Sequence, residues 1–241
     1  MSALGLVLGR SQQPGLRGLA GRLFDMALPA VTQFTSPRAW AFALVGIHRY
    51  LHRFPGDRAA QAAREILAQR LLDLWRAHSA PDWPWFEDVL AYSNAALPHG
   101  LLLAGRGMGR SDMVNTALTA LDWLVEVQKA GGDHFVPIGS KGFYHRGGSR
   151  ARFDQQPVEA HVTVAACLEA WRVTGQQHWR QEAQRTFEWF LGPMISACRS
   201  TIRPPAGAVT GCTRIASIKT RGPSPRWPSC RHCLNCGGPV P

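Results

Sequence analysis

From residue 36 to residue 191, apolar residues return every three or four positions in one segment after another, and the breaks between segments are short. That repeat confines the chain to helices packed on helices. Trp40, Leu44, Ile47 and Leu51 form one such stripe, opened by Ser36-Pro37, a cap followed by proline at the first helical position. Phe54-Pro55-Gly56 turns the chain and Asp57 is placed to cap the next helix. There Ala63, Ile66, Leu67, Leu71 and Trp75 mark one apolar face to about residue 77. Further helices are expected from Trp83 through Leu103, from Ser111-Asp112 through Val127, from Pro157 to Val173 with Gly175 as the stop, and from His178 to Leu191. Leu16 to Leu28 has the same period and breaks at Pro29. No strand-rich block interrupts the pattern. Short links between helices of similar length predict an all-α fold of stacked αα-hairpins. Periodicity by itself does not separate a bundle, a helical-repeat scaffold and a closed ring.

The formal net charge of +11 invites a nucleic-acid reading, but its distribution argues against one. Arg199, Arg203, Arg214, Lys219, Arg221, Arg226 and Arg231 all follow Gly192, where there is no Asp or Glu. Residues 1–192 are left with 20 Lys and Arg against 16 Asp and Glu, an ordinary balance. Five of the six cysteines and eight of the 17 prolines also fall after Gly192, so the chain carries two compositions. No apolar run is long enough to span a bilayer. The start, MSALGLVLGR, has neither a basic lead nor a small-residue cleavage site. A cytoplasmic protein with no nucleic-acid or membrane partner is the expectation.

Two clusters carry chemistry. In Asp82-Trp83-Pro84-Trp85-Phe86-Glu87-Asp88, the rings of Trp83, Trp85 and Phe86 offer flat faces on which a sugar could stack. Glu87 beside them is the candidate general acid, because an aromatic pocket desolvates a carboxylate. The plainer alternative makes the rings core and the acids N-terminal helix charges. Tyr92 and Asn94 follow as candidate sugar contacts, Asn94 being costly in a helix interior without a partner. The second cluster is Phe153-Asp154-Gln155-Gln156-Pro157-Val158-Glu159, at a loop-to-helix junction. Gln155 and Gln156 are candidate hydroxyl ligands, and Asp154 or Glu159 is the candidate base or sugar ligand, with helix capping as the alternative for Asp154. Glycoside chemistry needs two carboxyl groups on opposite sides of one bond, and Glu87 facing Asp154 or Glu159 would supply them. Between the clusters, residues 131–152 are rich in Gly, aromatic and basic residues without a period, and His145-Arg146 there could hold a ligand. Gly105-Arg106-Gly107-Met108-Gly109 follows a helix rather than a strand, so no dinucleotide site is expected and no cofactor is assigned. Cys230, His232, Cys233 and Cys236 have knuckle-like spacing for zinc.

The segments Trp83-Pro84-Trp85-Phe86-Glu87-Asp88, Phe135-Val136-Pro137-Ile138-Gly139-Ser140, Arg152 to Ala160, and Phe187-Glu188-Trp189-Phe190-Leu191-Gly192 together resemble a bacterial family labelled glycosyltransferase. Its members are similar to six-hairpin glycosidases. The resemblance covers residues 1–192 and implies part of an (α/α)6-type toroid. It also implies a carbohydrate substrate, and either action on a glycosidic bond or a non-catalytic sugar-binding or scaffold role beside a separate glycosyltransferase. The family reads Asp where Ser93 stands here, which removes an acid at that position.

After Phe-Leu-Gly the family continues with motifs like NDL, TGGC, DGL and NQGAEST, whereas this chain reads GPMISACRST. Taking the last base of each codon with the first two of the next, codon degeneracy allows the tail to read ANDLGLPLYDPATGGC, then a DGLH-like stretch, then DQGAESTLAFL. One constant shift thus restores three motifs in order. Residues 193–241 are therefore expected to be a disordered, out-of-frame tail. That removes the zinc knuckle from functional argument, so no metal is assigned. The family's upstream Gly-Tyr-Cys and Asp-Asp-Asn-like segments have no counterpart here. The chain is accordingly expected to be a fragment, inactive as it stands, with apolar helix faces left uncovered and a tendency to aggregate.

Overall fold

The computed structural model describes residues 1–130 and 134–201. The zinc-knuckle cysteines and the tail from Ile202 onward lie outside the described residues. Eight helices run in order: α1 (Ser2–Arg10), α2 (Pro14–Val31), α3 (Pro37–Leu51), α4 (Arg58–His78), α5 (Ala96–Met108), α6 (Ser111–Val127), α7 (Pro157–Thr174) and α8 (Gln177–Thr201). The described residues are mostly helical, in keeping with an all-α fold.

Each odd-numbered helix pairs with the even-numbered helix that follows it. The odd helices also pack in series, α1 on α3, α3 on α5, and α5 on α7; α2 touches α4, and α4 touches α6. Burial explains the arrangement. Nine of the 13 residues of α5 are buried, as in a helix enclosed by neighbours. In α4 only one stripe is buried, Ala60, Ala63, Leu67, Ala68, Leu71 and Leu72, as in a helix with one wet face. The axes approach closely where side chains vanish. A Cβ on Gly100 of α5 would lie 2.9 Å from Ala41 Cα of α3, and one on Gly46 would lie 2.5 Å from the Met1 carbonyl carbon.

Several helix ends follow the sequence signals. Asp57 caps α4, its carboxylate accepting from Ala60 N at 3.0 Å. Pro37 and Pro157 open α3 and α7, and Gly175 closes α7 in the left-handed region at φ 71°. Other expectations are corrected. The stretch Leu16–Leu28 belongs to a helix that runs on through Pro29 to Val31; Pro29 forgoes its own N–H bond one turn back, and the helix ends two residues later. The last helix extends past Leu191 to Thr201, so residues 193–201 are helical rather than part of an irregular tail. Two small antiparallel pairs appear where no strand was expected: β1 (Val89–Leu90) with β4 (Tyr144–His145), and β2 (Lys129–Ala130) with β3 (His134–Phe135).

The largest correction concerns residues 83–95, expected as the start of a helix. Ala80 and Trp83 instead exchange two backbone hydrogen bonds at 3.0 Å, Pro84 has no N–H to give, and Ser93 turns the chain at φ 48°. The helix starts only at Ala96. This extended, knotted-down segment carries Glu87, Tyr92 and Asn94 across the N-terminal ends of neighbouring helices.

Candidate functional site

Three helix N-termini meet around one guanidinium. Arg38 is the second residue of α3, Ser93 and Asn94 come just before Ala95, the N-cap of α5, and Glu159 is the third residue of α7. Arg38 is only 6% exposed. Its Nη1 donates to both oxygens of Glu87, at 3.0 and 2.8 Å, its Nε donates to the Tyr92 carbonyl at 2.5 Å, and its Nη2 reaches Asn94 Oδ1 at 3.5 Å. The charge-assisted bonds from Nη1 hold the Glu87 carboxylate against Arg38.

Asn94, fully buried, passes the network on. Its Nδ2 donates to Glu159 Oε2 at 3.0 Å and to the Ala91 carbonyl at 3.2 Å. Its backbone N donates to Glu159 Oε2 at 3.3 Å, and Ser93 N donates to Glu159 Oε1. Burial raises the Glu159 carboxyl above the ordinary glutamate range; the hydrogen bonds from Asn94 and Ser93 and the charge of Arg38 pull the other way. The N-terminal end of α7 also favours negative charge there. The line Glu87, Arg38, Asn94, Glu159 thus ties two carboxyl groups 72 positions apart in sequence into one polar network.

The surroundings sort the remaining candidates. Tyr92 is 49% exposed, with the Arg38 guanidinium 4.8 Å from its ring centroid, so it offers an open aromatic face beside Glu87. Trp83, Trp85 and Phe86 do not. They are buried at 3%, 0% and 0% exposure: Trp83 packs edge-on against Trp123 and Tyr144, Phe86 edge-on against Trp75, and Trp85 edge-on against Phe86 and tilted on Trp123, so the stacking-platform expectation is corrected for all three. Their contribution is positional: Trp83 Nε1 donates to the Glu87 carbonyl at 2.7 Å and holds that residue at the rim of the core.

The second cluster divides. Glu159 joins the network, and Asp154, Gln155 and Gln156 do not. Asp154 does not cap α7; Gln156 occupies the cap position. Asp154 sits in the left-handed region at φ 59°, and its carbonyl accepts from Ser140 N at 3.1 Å and Ser140 Oγ at 3.0 Å. Its loop lies flat on residues 139–143, where a Cβ on Gly139 would meet Phe153 N at 2.8 Å. Gln155 donates to the Arg152 carbonyl at 3.1 Å and accepts from Trp189 Nε1 at 3.4 Å. Arg146 is spent on its own chain, donating to the His78 carbonyl and to Asp82, both at 3.2 Å, while His145 is exposed in β4. Both are therefore set apart from the Arg38 network.

Arg38 was not singled out by the sequence reading. One signal pointed to it: a cation in the first turn of a helix opposes the dipole, so it needs a local anion to hold it there. Among the described residues, no group of three or more His, Cys, Asp or Glu is placed to hold a metal ion, and no helix is long and apolar enough to cross a membrane. In comparisons with known proteins, no family model, no curated protein and no solved structure matches this chain.

Proposed function

We propose that this chain is part of a carbohydrate-active (α/α)6-type toroid and that its sugar site is the network of Arg38, Glu87, Asn94 and Glu159. The observation that carries the reading is the meeting of two carboxyl groups, an amide and a guanidinium at the N-terminal ends of α3, α5 and α7, next to the exposed ring of Tyr92. Planar polar groups of both donor and acceptor type beside an open aromatic face suit a pyranose, with hydroxyls on one edge and C–H groups on the face. The serial packing of the odd helices, with an even helix behind each, supports a toroid of αα-hairpins with these N-termini at one end. The sequence resemblance supports the same class of substrate.

In the catalytic form of this reading, Glu87, one-fifth exposed, faces the glycosidic bond, and Glu159 orients the Ser93–Asn94 turn from behind. Glu87→Gln then abolishes turnover of an aryl glycoside or oligosaccharide while sugar binding stays within a few-fold. One observation favours the second form, a sugar-binding module beside a separate glycosyltransferase. Both Glu87 oxygens are held by Arg38 and both Glu159 oxygens by the Ser93–Asn94 turn, which suits fixed ligand contacts better than proton transfer. A chain that binds sugar, shows no turnover, and loses binding in Glu87→Gln selects that form. A chain with neither binding nor turnover refutes both.

A further inference from the structure

A second feature is independent of the Arg38 network and lies further along the same helices. A cavity of about 610 Å³ is walled by α1, α3, α5 and α7 together with the turn after α3. Along α3 and α7 the charged lining residues Arg49 and Glu169 lie roughly 15 Å of helix rise from Arg38 and Glu159, while His99 on α5 brings the near wall to about 7 Å of helix rise from Asn94. Its size is that of a small-molecule site rather than of a macromolecular groove.

The charged lining is mostly basic. Arg10, Arg49, Arg53 and Arg172 line the space with the imidazoles of His48, His52 and His99, and the single acid is Glu169. Glu169 is already neutralised twice, by Arg106 at 2.9 Å and by Arg172 at 3.1 Å. Among the described residues, Arg10, Arg49 and Arg53 have no carboxylate partner, and only Arg49 makes a side-chain hydrogen bond, to the Ser2 carbonyl at 3.4 Å. The site is crowded with positive charge: burial lowers the Arg49 guanidinium pKa, and the nearby Arg10 lowers it further. His48 is lowered by burial, against the pull of Glu169. An adjoining cavity of about 230 Å³ shares His48 and His52 and is bordered by Arg64, whose buried Nε has no hydrogen-bond partner among the described residues. Guanidinium charges gathered without a carboxylate partner repel one another, and an anion in the cavity relieves that repulsion.

We infer that the cavity binds a phosphate-bearing small molecule. Guanidinium forks at Arg49 and Arg53 match phosphate oxygens two at a time, Arg10 adds a third charge from α1, and His48 and His99 each carry one ring N–H to donate when neutral. Phosphate is favoured over a single carboxylate because three unpaired arginines exceed the charge of one carboxylate.

The full purified chain is titrated calorimetrically with inorganic phosphate, with glucose 6-phosphate and with glucose, at constant ionic strength set with chloride. Saturable one-to-one binding of phosphate or glucose 6-phosphate is expected, with none for glucose at this site. The double variant Arg10→Gln/Arg53→Gln, both exposed residues, weakens binding at least tenfold with an unchanged circular dichroism spectrum and melt. Arg49→Gln does the same; should it fail to fold, the exposed pair decides. Binding of glucose 6-phosphate but not of inorganic phosphate, abolished by the double variant, supports a sugar phosphate as the ligand. No binding of either probe at 10 mM overturns the inference, as does binding that the double variant leaves unchanged. Binding of an RNA 20-mer without either phosphate probe also overturns it. The Glu87→Gln variant should bind phosphate as the wild type does, which separates this site from the sugar site.

Discussion

Removing the Glu159 carboxylate breaks the link between α7 and the turn that opens α5. Glu159 is 1% exposed and accepts from Ser93 N, Asn94 N and Asn94 Nδ2. Each hydrogen bond to a charged acceptor contributes about 1.5–3 kcal/mol, and the three are not additive because they share one group. Relief of the desolvation that raises the Glu159 carboxyl offsets part of the loss. Glu159→Ala should therefore destabilise by about 3–5 kcal/mol, the range for breaking a buried charged network from one side. For a folded region of this size that is a fall in Tm of roughly 10 °C. Glu159→Gln keeps one acceptor but turns an amide NH2 toward a donor, so it should lie between. A sign follows for pH. A carboxyl held above its unfolded value contributes stability that is fully present below the ordinary glutamate pKa, and loses it as pH rises through the raised value. The gap between wild type and Glu159→Gln should thus narrow from pH 4 upward. Urea unfolding followed by circular dichroism measures both effects. A loss below about 1 kcal/mol for Glu159→Ala would refute the hydrogen-bonded network as drawn.

Four further outcomes are expected. Gly46→Ala and Gly100→Ala should each cost about 1–3 kcal/mol by thermal melt, because the new methyl meets backbone atoms at 2.5 and 2.9 Å and the helices must move apart. His99 is held near pKa 4 by burial, so the wild type should lose up to about 3 kcal/mol as pH falls from 6.5 toward 4, a slope that His99→Gln removes. The exposed stripe Leu16, Leu19, Leu23 and Met26 on α2 should drive concentration-dependent self-association in light scattering, reversed by Leu19→Lys/Leu23→Lys. Sequencing the gene across the codons for Leu191 to Cys212 should give codons whose shifted frame reads the family motifs; codons that forbid that translation refute the out-of-frame tail.

The helical fold was legible because its signals are local. Asp57 three residues before Ala60, Pro37 and Pro157 at first helical positions, and Gly175 after Thr174 each act within one turn of chain. The segment 83–95 misled because its apolar content is real but its geometry is tertiary. Trp83, Trp85 and Phe86 sit deep among Trp75, Trp123 and Tyr144, contacts that no spacing within the segment reveals. Their aromatic character suggested a sugar platform for the same reason that it suits a core: large flat apolar faces serve both. Of the two clusters, Glu87, Asn94 and Glu159 were brought together, because Asn94 and Glu159 lie at helix mouths that the odd helices place side by side and Arg38 holds Glu87 there. Asp154 was drawn off by its left-handed turn and its bond to Ser140, and Arg146 by its own loop. Arg38 could be found only by asking why a cation opens a helix.

The carbohydrate reading is tested most directly by saturation-transfer NMR of the full chain with a panel of neutral mono- and oligosaccharides. At least one pyranose should bind saturably, with contact to the Tyr92 ring, and Asn94→Ala or Arg38→Met should abolish that binding while Ile66→Ala, on the exposed face of α4, leaves it within a few-fold. No binding across the panel, or binding that neither network variant disturbs, would contradict a sugar site at Arg38, Glu87, Asn94 and Glu159.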